Sequence, residues 1–143
     1  MQTKITPAII TQTKTIPIPT ATKTIQQNDL GADKMKNLIR VQDLDGLKKA
    51  VQGTQSYWLF KHSSTCPVSA AAWNEYNEYC SLHPHQTFLF LVVQEDKELS
   101  QEIAEITQIK HESPQLMHFS NMQVDWHASH NKIKSKAMQE FIA

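Results

Sequence analysis

The stretch Ser63-Ser64-Thr65-Cys66-Pro67-Val68-Ser69 sets one thiol in front of Ala70-Ala71-Ala72-Trp73, a run with helical character. Proline is favoured at the first position of a helix, where its missing N–H would have had no partner. With Pro67 there, Cys66 becomes the N-cap, and its sulfur is expected to face the free N–H groups of Val68 and Ser69. It then also lies at the positive end of the helix dipole. Both effects favour a thiolate, and cysteines so placed titrate between ~3.5 and ~7.5. The expected chemistry is that of a nucleophile at neutral pH. Thr65, Ser69 and His62 are close enough in sequence to add hydrogen bonds or charge, and Lys61 adds a further positive charge. Taken alone, Cys-Pro-x-Ser better suits a small buried cysteine. The strand before it, the helix after it and the downstream Ser113-Pro114 turn the reading towards a reactive one.

A dithiol site would carry its second cysteine at Cys+3, where this chain has Ser69. The other cysteine, Cys80, follows fourteen residues later on the same helix. At about 1.5 Å per residue that is roughly 21 Å, whereas a disulfide needs Cα atoms about 4.4–6.8 Å apart. The site is therefore expected to be monothiol. Cys80-x-x-His83-x-His85 has the look of a metal site, but a structural zinc takes four ligands and no second Cys/His pair completes it. No metal is expected. Ser113-Pro114 precedes a strand, and X–Pro bonds are where cis peptides concentrate. A cis-proline there leaves the preceding backbone open to an extended ligand; an ordinary one only ends a helix.

The elements that must position these residues follow from hydrophobic period. Leu38–Val41 reads as a strand. Asp43 or Asp45 caps a short helix to about Val51, with Gly53 past its end. Tyr57–Phe60 reads as a buried strand, and a helix runs from Pro67 to about Cys80 on Ala72, Trp73, Tyr76, Tyr79 and Cys80. Thr87–Val93 is the most apolar strand. Lys97–Ile109 is an amphipathic helix on Leu99, Ile103, Ile106 and Ile109. Two strands, Leu116–Phe119 and Val124–His127, precede a C-terminal helix from about Asn131 with Ile133, Ala137, Met138 and Phe141 inward. The order β-α-β-α-β-α-β-β-α is α/β. It demands parallel crossovers and a final hairpin, and hence a mixed sheet. Sites in such sheets lie beyond the carboxyl ends of the strands, and the turn after Tyr57–Phe60, which holds Cys66, is one such place.

The 143 residues suit one domain with a tail, and Lys+Arg and Asp+Glu number 14 each. That balance gives no electrostatic reason to expect nucleic acid or an anionic membrane as partner. The apolar runs are too short to span a bilayer, and two cysteines do not make a disulfide scaffold. A cytoplasmic location is expected. Residues 1–34 differ from the rest. Met1–Thr24 holds eight threonines and three prolines, without an acidic residue or a continuous apolar stretch suited to a secretory signal. The segment reads as a flexible Thr/Pro-rich tail, or as an arm that adds a strand to a neighbour. Regular patterning begins after Met35-Lys36, which could equally be a translation start. Monomer and weak dimer both remain open.

Three motifs together carry a resemblance. Phe60-Lys61-His62-Ser63-Ser64-Thr65-Cys66-Pro67-Val68-Ser69, His111-Glu112-Ser113-Pro114-Gln115 and Trp126-His127-Ala128-Ser129-His130 resemble, in order, those of the YtxJ family. These are the monothiol bacilliredoxins, known also as general stress proteins. The likeness covers about residues 36–143 and implies a thioredoxin-like domain over residues 35–143. It implies that Cys66 takes a low-molecular-weight thiol, bacillithiol or an equivalent, from S-thiolated client proteins, and that a second small thiol then releases it. Pro114 would be the cis-proline, with Ser113 beside it in contact with substrate backbone, and Thr65, Pro67 and Ser69 would complete the active-site turn. No bound cofactor is implied; the small thiol is a co-substrate. Contacts of Lys61, His62, His127 or His130 with ligand are left open by the resemblance. Two other readings compete. One is a thioredoxin-fold stress-response or interaction module with a relic cysteine. The other is iron–sulfur carriage, against which Pro67 stands where cluster-carrying monothiol glutaredoxins have glycine.

Overall fold

A computed structural model describes residues 37–143, so the expected tail at residues 1–34 lies outside the described residues. The apolar runs become the inner strands, because a strand covered on both faces must be apolar at every position. Five strands form one sheet. They are β1 (Leu38–Arg40), β2 (Ser56–His62), β3 (Phe88–Val92), β4 (Gln115–Ser120) and β5 (Gln123–Ser129). Their spatial order is β1-β3-β2-β4-β5. β3 is parallel to both β1 and β2, whereas β4 runs antiparallel to β2 and β5 to β4. The mixed α/β sheet read from the pattern is thus the one observed, with β2 at its centre.

Strand alternation sends successive side chains to opposite faces and so divides the core in two. On one face, Tyr57, Leu59, Leu89, Leu91, Met117 and Phe119 pack under Leu47 of α1 (Leu44–Ala50) and Leu99 and Ile103 of α3 (Lys97–Thr107). On the other, Trp58, Phe60, Phe88 and Leu116 pack under α2 (Pro67–Leu82) and α4 (Ser135–Ile142). Tyr76 and Tyr79 of α2 are wholly buried there, and the Tyr76 hydroxyl donates to the Leu89 carbonyl at 2.8 Å. A buried hydroxyl needs such a partner to be tolerated.

Helix ends follow local chemistry. Asp43 caps α1 by accepting from the Gly46 N–H at 2.7 Å, and Gly53 takes the left-handed φ of 78° beyond its end. Two expected helices are shorter than their apolar period. α3 stops at Thr107, because Gln108 turns left-handed at φ 61° and Thr107 Oγ1 accepts from the Ile109 N–H. Ile109 then reaches the core from the loop, while Ile106, expected inward, is 63% exposed. The C-terminal helix begins at Ser135, not near Asn131. His130 is left-handed at φ 57°, His130–Lys132 forms one 3₁₀ turn, and Ile133 is extended and buried. Glu75 of α2 receives the first N–H of α4, that of Ser135, at 2.8 Å.

Candidate active site

β2 ends at His62, and the chain needs only Ser63–Thr65 to turn into α2. Cys66 is the N-cap, with extended backbone at φ −104° and ψ 122°, and Pro67 opens the helix. Its thiol is partly exposed at the carboxyl end of the sheet. One detail differs from the sequence expectation, since the Cys66 side chain makes no capping hydrogen bond. Sulfur is a weak acceptor, and the helix start is organised by its neighbours instead.

Ser69 is the first of these. It is fully buried, and its Oγ accepts from the Ser63 N–H at 2.8 Å and lies 2.9 Å from His62 Nδ1. His62 in turn lies beside Trp73, its ring centroid 4.9 Å away, and meets Phe60 edge-on. Burial pushes the His62 imidazole below its ordinary value, so at neutral pH it offers a hydrogen bond and not a charge.

Lys61 is held differently from His62. Alternation along β2 sends its side chain to the face packed under α3. Its buried Nζ donates to the Ser100 carbonyl at 3.0 Å and lies 3.2 Å from His111 Nδ1. Desolvation pulls the ammonium down to about 8. His111 is lowered too, first by burial and then by Lys61, and the Ser100 hydroxyl lies 2.9 Å from the same Nδ1.

The second motif arrives along β4. Lys61 pairs with Gln115, so Pro114 sits just beyond that pair, beside the end of β2. The Ser113–Pro114 peptide bond is cis, Pro114 is buried, and its carbonyl accepts from the His130 N–H at 3.0 Å. Between α2 and the 3₁₀ turn runs a shallow groove of about 270 Å³, lined by Pro67, Val68, Ala71, His130, Asn131 and Lys134. The groove brings the helix start of the first motif together with the third. His127 and His130 lie near Glu112, whose carboxyl is held below the usual range by a hydrogen bond from Ser129 and then by His130, Lys110 and His127.

Cys80 is a core thiol near the far end of α2, 1% exposed, and its Sγ donates to Asn37 Oδ1 at 3.4 Å. Burial pushes it up to about 11. His83 stacks on Tyr79, and its Nδ1 lies 2.9 Å from the Tyr79 carbonyl. Among the described residues no three His, Cys, Asp or Glu side chains are grouped to hold a metal. No helix among them is long and apolar enough to cross a membrane.

The residue that sequence reading missed is Gln94, just past the carboxyl end of β3. Its Oε1 accepts from the Ser64 N–H at 3.1 Å, and its Nε2 donates to Ser63 Oγ at 2.8 Å and Thr65 Oγ1 at 3.2 Å. The signal that could have found it is positional. It is the first polar residue after the most apolar run, at the edge of the sheet where sites form.

The sequence pattern of the monothiol bacilliredoxin BrxC family matches residues 36–138. The chain belongs to that family. A solved structure described as a candidate oxidoreductase with a thioredoxin fold superposes with a TM-score of 0.72 at 28% identity, covering 77% of this chain and 97% of the other. The thioredoxin of Malassezia sympodialis superposes with a TM-score of 0.59 at 15% identity, covering 73% and 87%. Mitochondrial thioredoxin 3 of Saccharomyces cerevisiae does so at 0.59 and 11% identity, covering 76% and 96%. The fold is thioredoxin-like. Family and fold together support a thiol oxidoreductase of the monothiol kind.

Proposed function

We propose that the protein removes a low-molecular-weight thiol, of the bacillithiol kind, from protein mixed disulfides through Cys66. The Cys66 thiolate attacks the small-thiol sulfur of a client mixed disulfide. The client cysteine leaves as its thiolate, and the small thiol stays on Cys66 as a new disulfide. A second small-thiol thiolate attacks that adduct, frees Cys66 and departs as the symmetric disulfide. Each step exchanges one S–S bond for another, so no outside oxidant or reductant is consumed beyond the second thiol.

The observation that carries this reading is the isolation of one accessible sulfur. Cys66 stands partly exposed at a helix start, Cys80 is buried fourteen residues further along α2, and Ser69 at Cys+3 is buried and hydrogen-bonded. Nothing in the turn offers a resolving thiol, so an adduct on Cys66 waits for one from solution. Ser113 and Pro114, beside the end of β2, would offer their backbone to the incoming chain.

The test is intact mass after incubation with bacillithiol disulfide or glutathione disulfide. One adduct on the native protein and none on Cys66→Ser is expected, with the larger yield identifying the preferred thiol. No adduct, or the same adduct on Cys66→Ser, would overturn the reading in favour of an interaction module with a relic cysteine.

A further inference from the structure

The three residues before Cys66 carry an unusual density of side-chain hydrogen bonds, and all but one of them go to the same amide. Gln94 receives the Ser64 N–H and donates to the hydroxyls of Ser63 and Thr65, so a single planar group touches three consecutive residues. The remaining bond, from the Ser63 N–H, goes to Ser69 on the helix side. The turn is thereby gripped from β3 on one side and from α2 on the other.

Gln94 is itself anchored. The Val93 N–H just before it donates to the His62 carbonyl at 2.8 Å. Asp96 accepts from the Val92 N–H at 2.9 Å and is bound at 3.0 Å by Arg40 of β1, which also reaches Glu95 at 2.8 Å. Asp96 is buried, so this end of the loop is set in the protein body. Polar contacts from β1 and β2 therefore fix the loop at 92–96, and its backbone carries that support to Gln94, whose side chain reaches the residue preceding the thiol.

We infer that Gln94 is a positioning residue for Cys66, holding the Ser63–Thr65 turn so that the thiol meets an incoming disulfide in one fixed orientation. The inference rests on Cys66 being the reacting group. Thiol–disulfide exchange is sensitive to the line of attack on sulfur and to access. A turn with its side-chain ties removed samples many orientations, and only a fraction of them are productive. Gln94 acts through the turn and need not touch the substrate.

The experiment compares Gln94→Ala and Gln94→Glu with the native protein. Three readouts are taken: amide hydrogen exchange across residues 61–69, the rate of Cys66 adduct formation with glutathione disulfide, and Cys66 alkylation by iodoacetamide. Gln94→Ala should speed amide exchange in that segment and slow adduct formation about fivefold or more, with the melting temperature well above assay temperature. The glutamate of Gln94→Glu has the same reach. It accepts the Ser64 N–H, and the Ser63 and Thr65 hydroxyls can rotate to donate to it. It should restore slow amide exchange and most of the lost rate. Faster amide exchange with an adduct rate within twofold of native would overturn the inference, since the clamp would then be structural only. Unchanged amide exchange in Gln94→Ala would overturn it as well. If the native protein forms no adduct, the proposed function fails by itself. The clamp is then judged on alkylation, where the same loss in Gln94→Ala and recovery in Gln94→Glu supports it and equal rates in all three refute it.

Discussion

The Ser69 hydroxyl accepts a hydrogen bond from the Ser63 N–H at 2.8 Å, across the turn that carries Cys66. The position where a dithiol site would hold its second sulfur is thus a tie between helix and strand. It is fully buried, and the same oxygen lies 2.9 Å from His62 Nδ1. Ser69→Ala would leave the buried Ser63 N–H without a partner. A buried donor stripped of its acceptor costs about 1–3 kcal/mol, and urea unfolding should show a loss of that size. An unchanged midpoint would mean that the turn finds another acceptor.

The two cysteines should separate cleanly by reactivity. At pH 8 and without denaturant, iodoacetamide should label Cys66 and spare Cys80, whose thiol burial pushes up to about 11. Only the thiolate is the nucleophile, and Cys80 is in addition shielded by the core. Peptide mapping after a short pulse should find Cys80 labelled only once urea is added. Comparable labelling of both in the folded protein would contradict the packing around Asn37 and Tyr79.

Lys61 should make stability depend on pH in a direction opposite to that of a paired lysine. Its pKa falls from 10.5 to about 8 on folding because burial penalises the charge. Between those values the unfolded chain binds a proton that the native state lacks, so stability rises with pH from about 8 to about 10.5 and the penalty is full below about 8. Among the described residues no carboxylate lies within salt-bridge distance of it. Lys61→Met should therefore raise stability at pH 7 by about 1–3 kcal/mol, less the lost bond to the Ser100 carbonyl, and remove that rise. Urea titrations at pH 7 and 10 check this. A destabilised Lys61→Met with an intact slope would show that the lysine is no burden to the fold.

Much of the architecture was legible because hydrophobic period reports directly on burial. The runs Tyr57–Phe60 and Thr87–Val93 are apolar at nearly every position, which only a strand covered on both faces requires. Where the period misled, a local backbone state intervened. Gln108 and His130 adopt left-handed conformations that no pattern of apolar residues announces, and they cut short the helices expected through Ile109 and from Asn131. The surroundings of Lys61 were hidden for a different reason. Strand alternation sends its side chain to the face under α3, where Ser100 and His111, 39 and 50 residues away in sequence, receive it.

The sequence by itself determined the chemistry available to this protein: one cysteine before a helix-starting proline, a serine at Cys+3, and a second cysteine too far along the same helix to reach. Those are statements about covalent order and helical rise, which need no tertiary contact. Only the tertiary structure decided what surrounds the thiol. Gln94 lies 29 to 31 residues from the turn it grips, because parallel strands β2 and β3 end side by side only after α2 has crossed between them. Long-range pairing of this kind leaves no local mark. A residue that looked like the second half of a redox pair, Ser69, proved to be one end of the clamp, and its partner on the other side could be seen only in the folded chain.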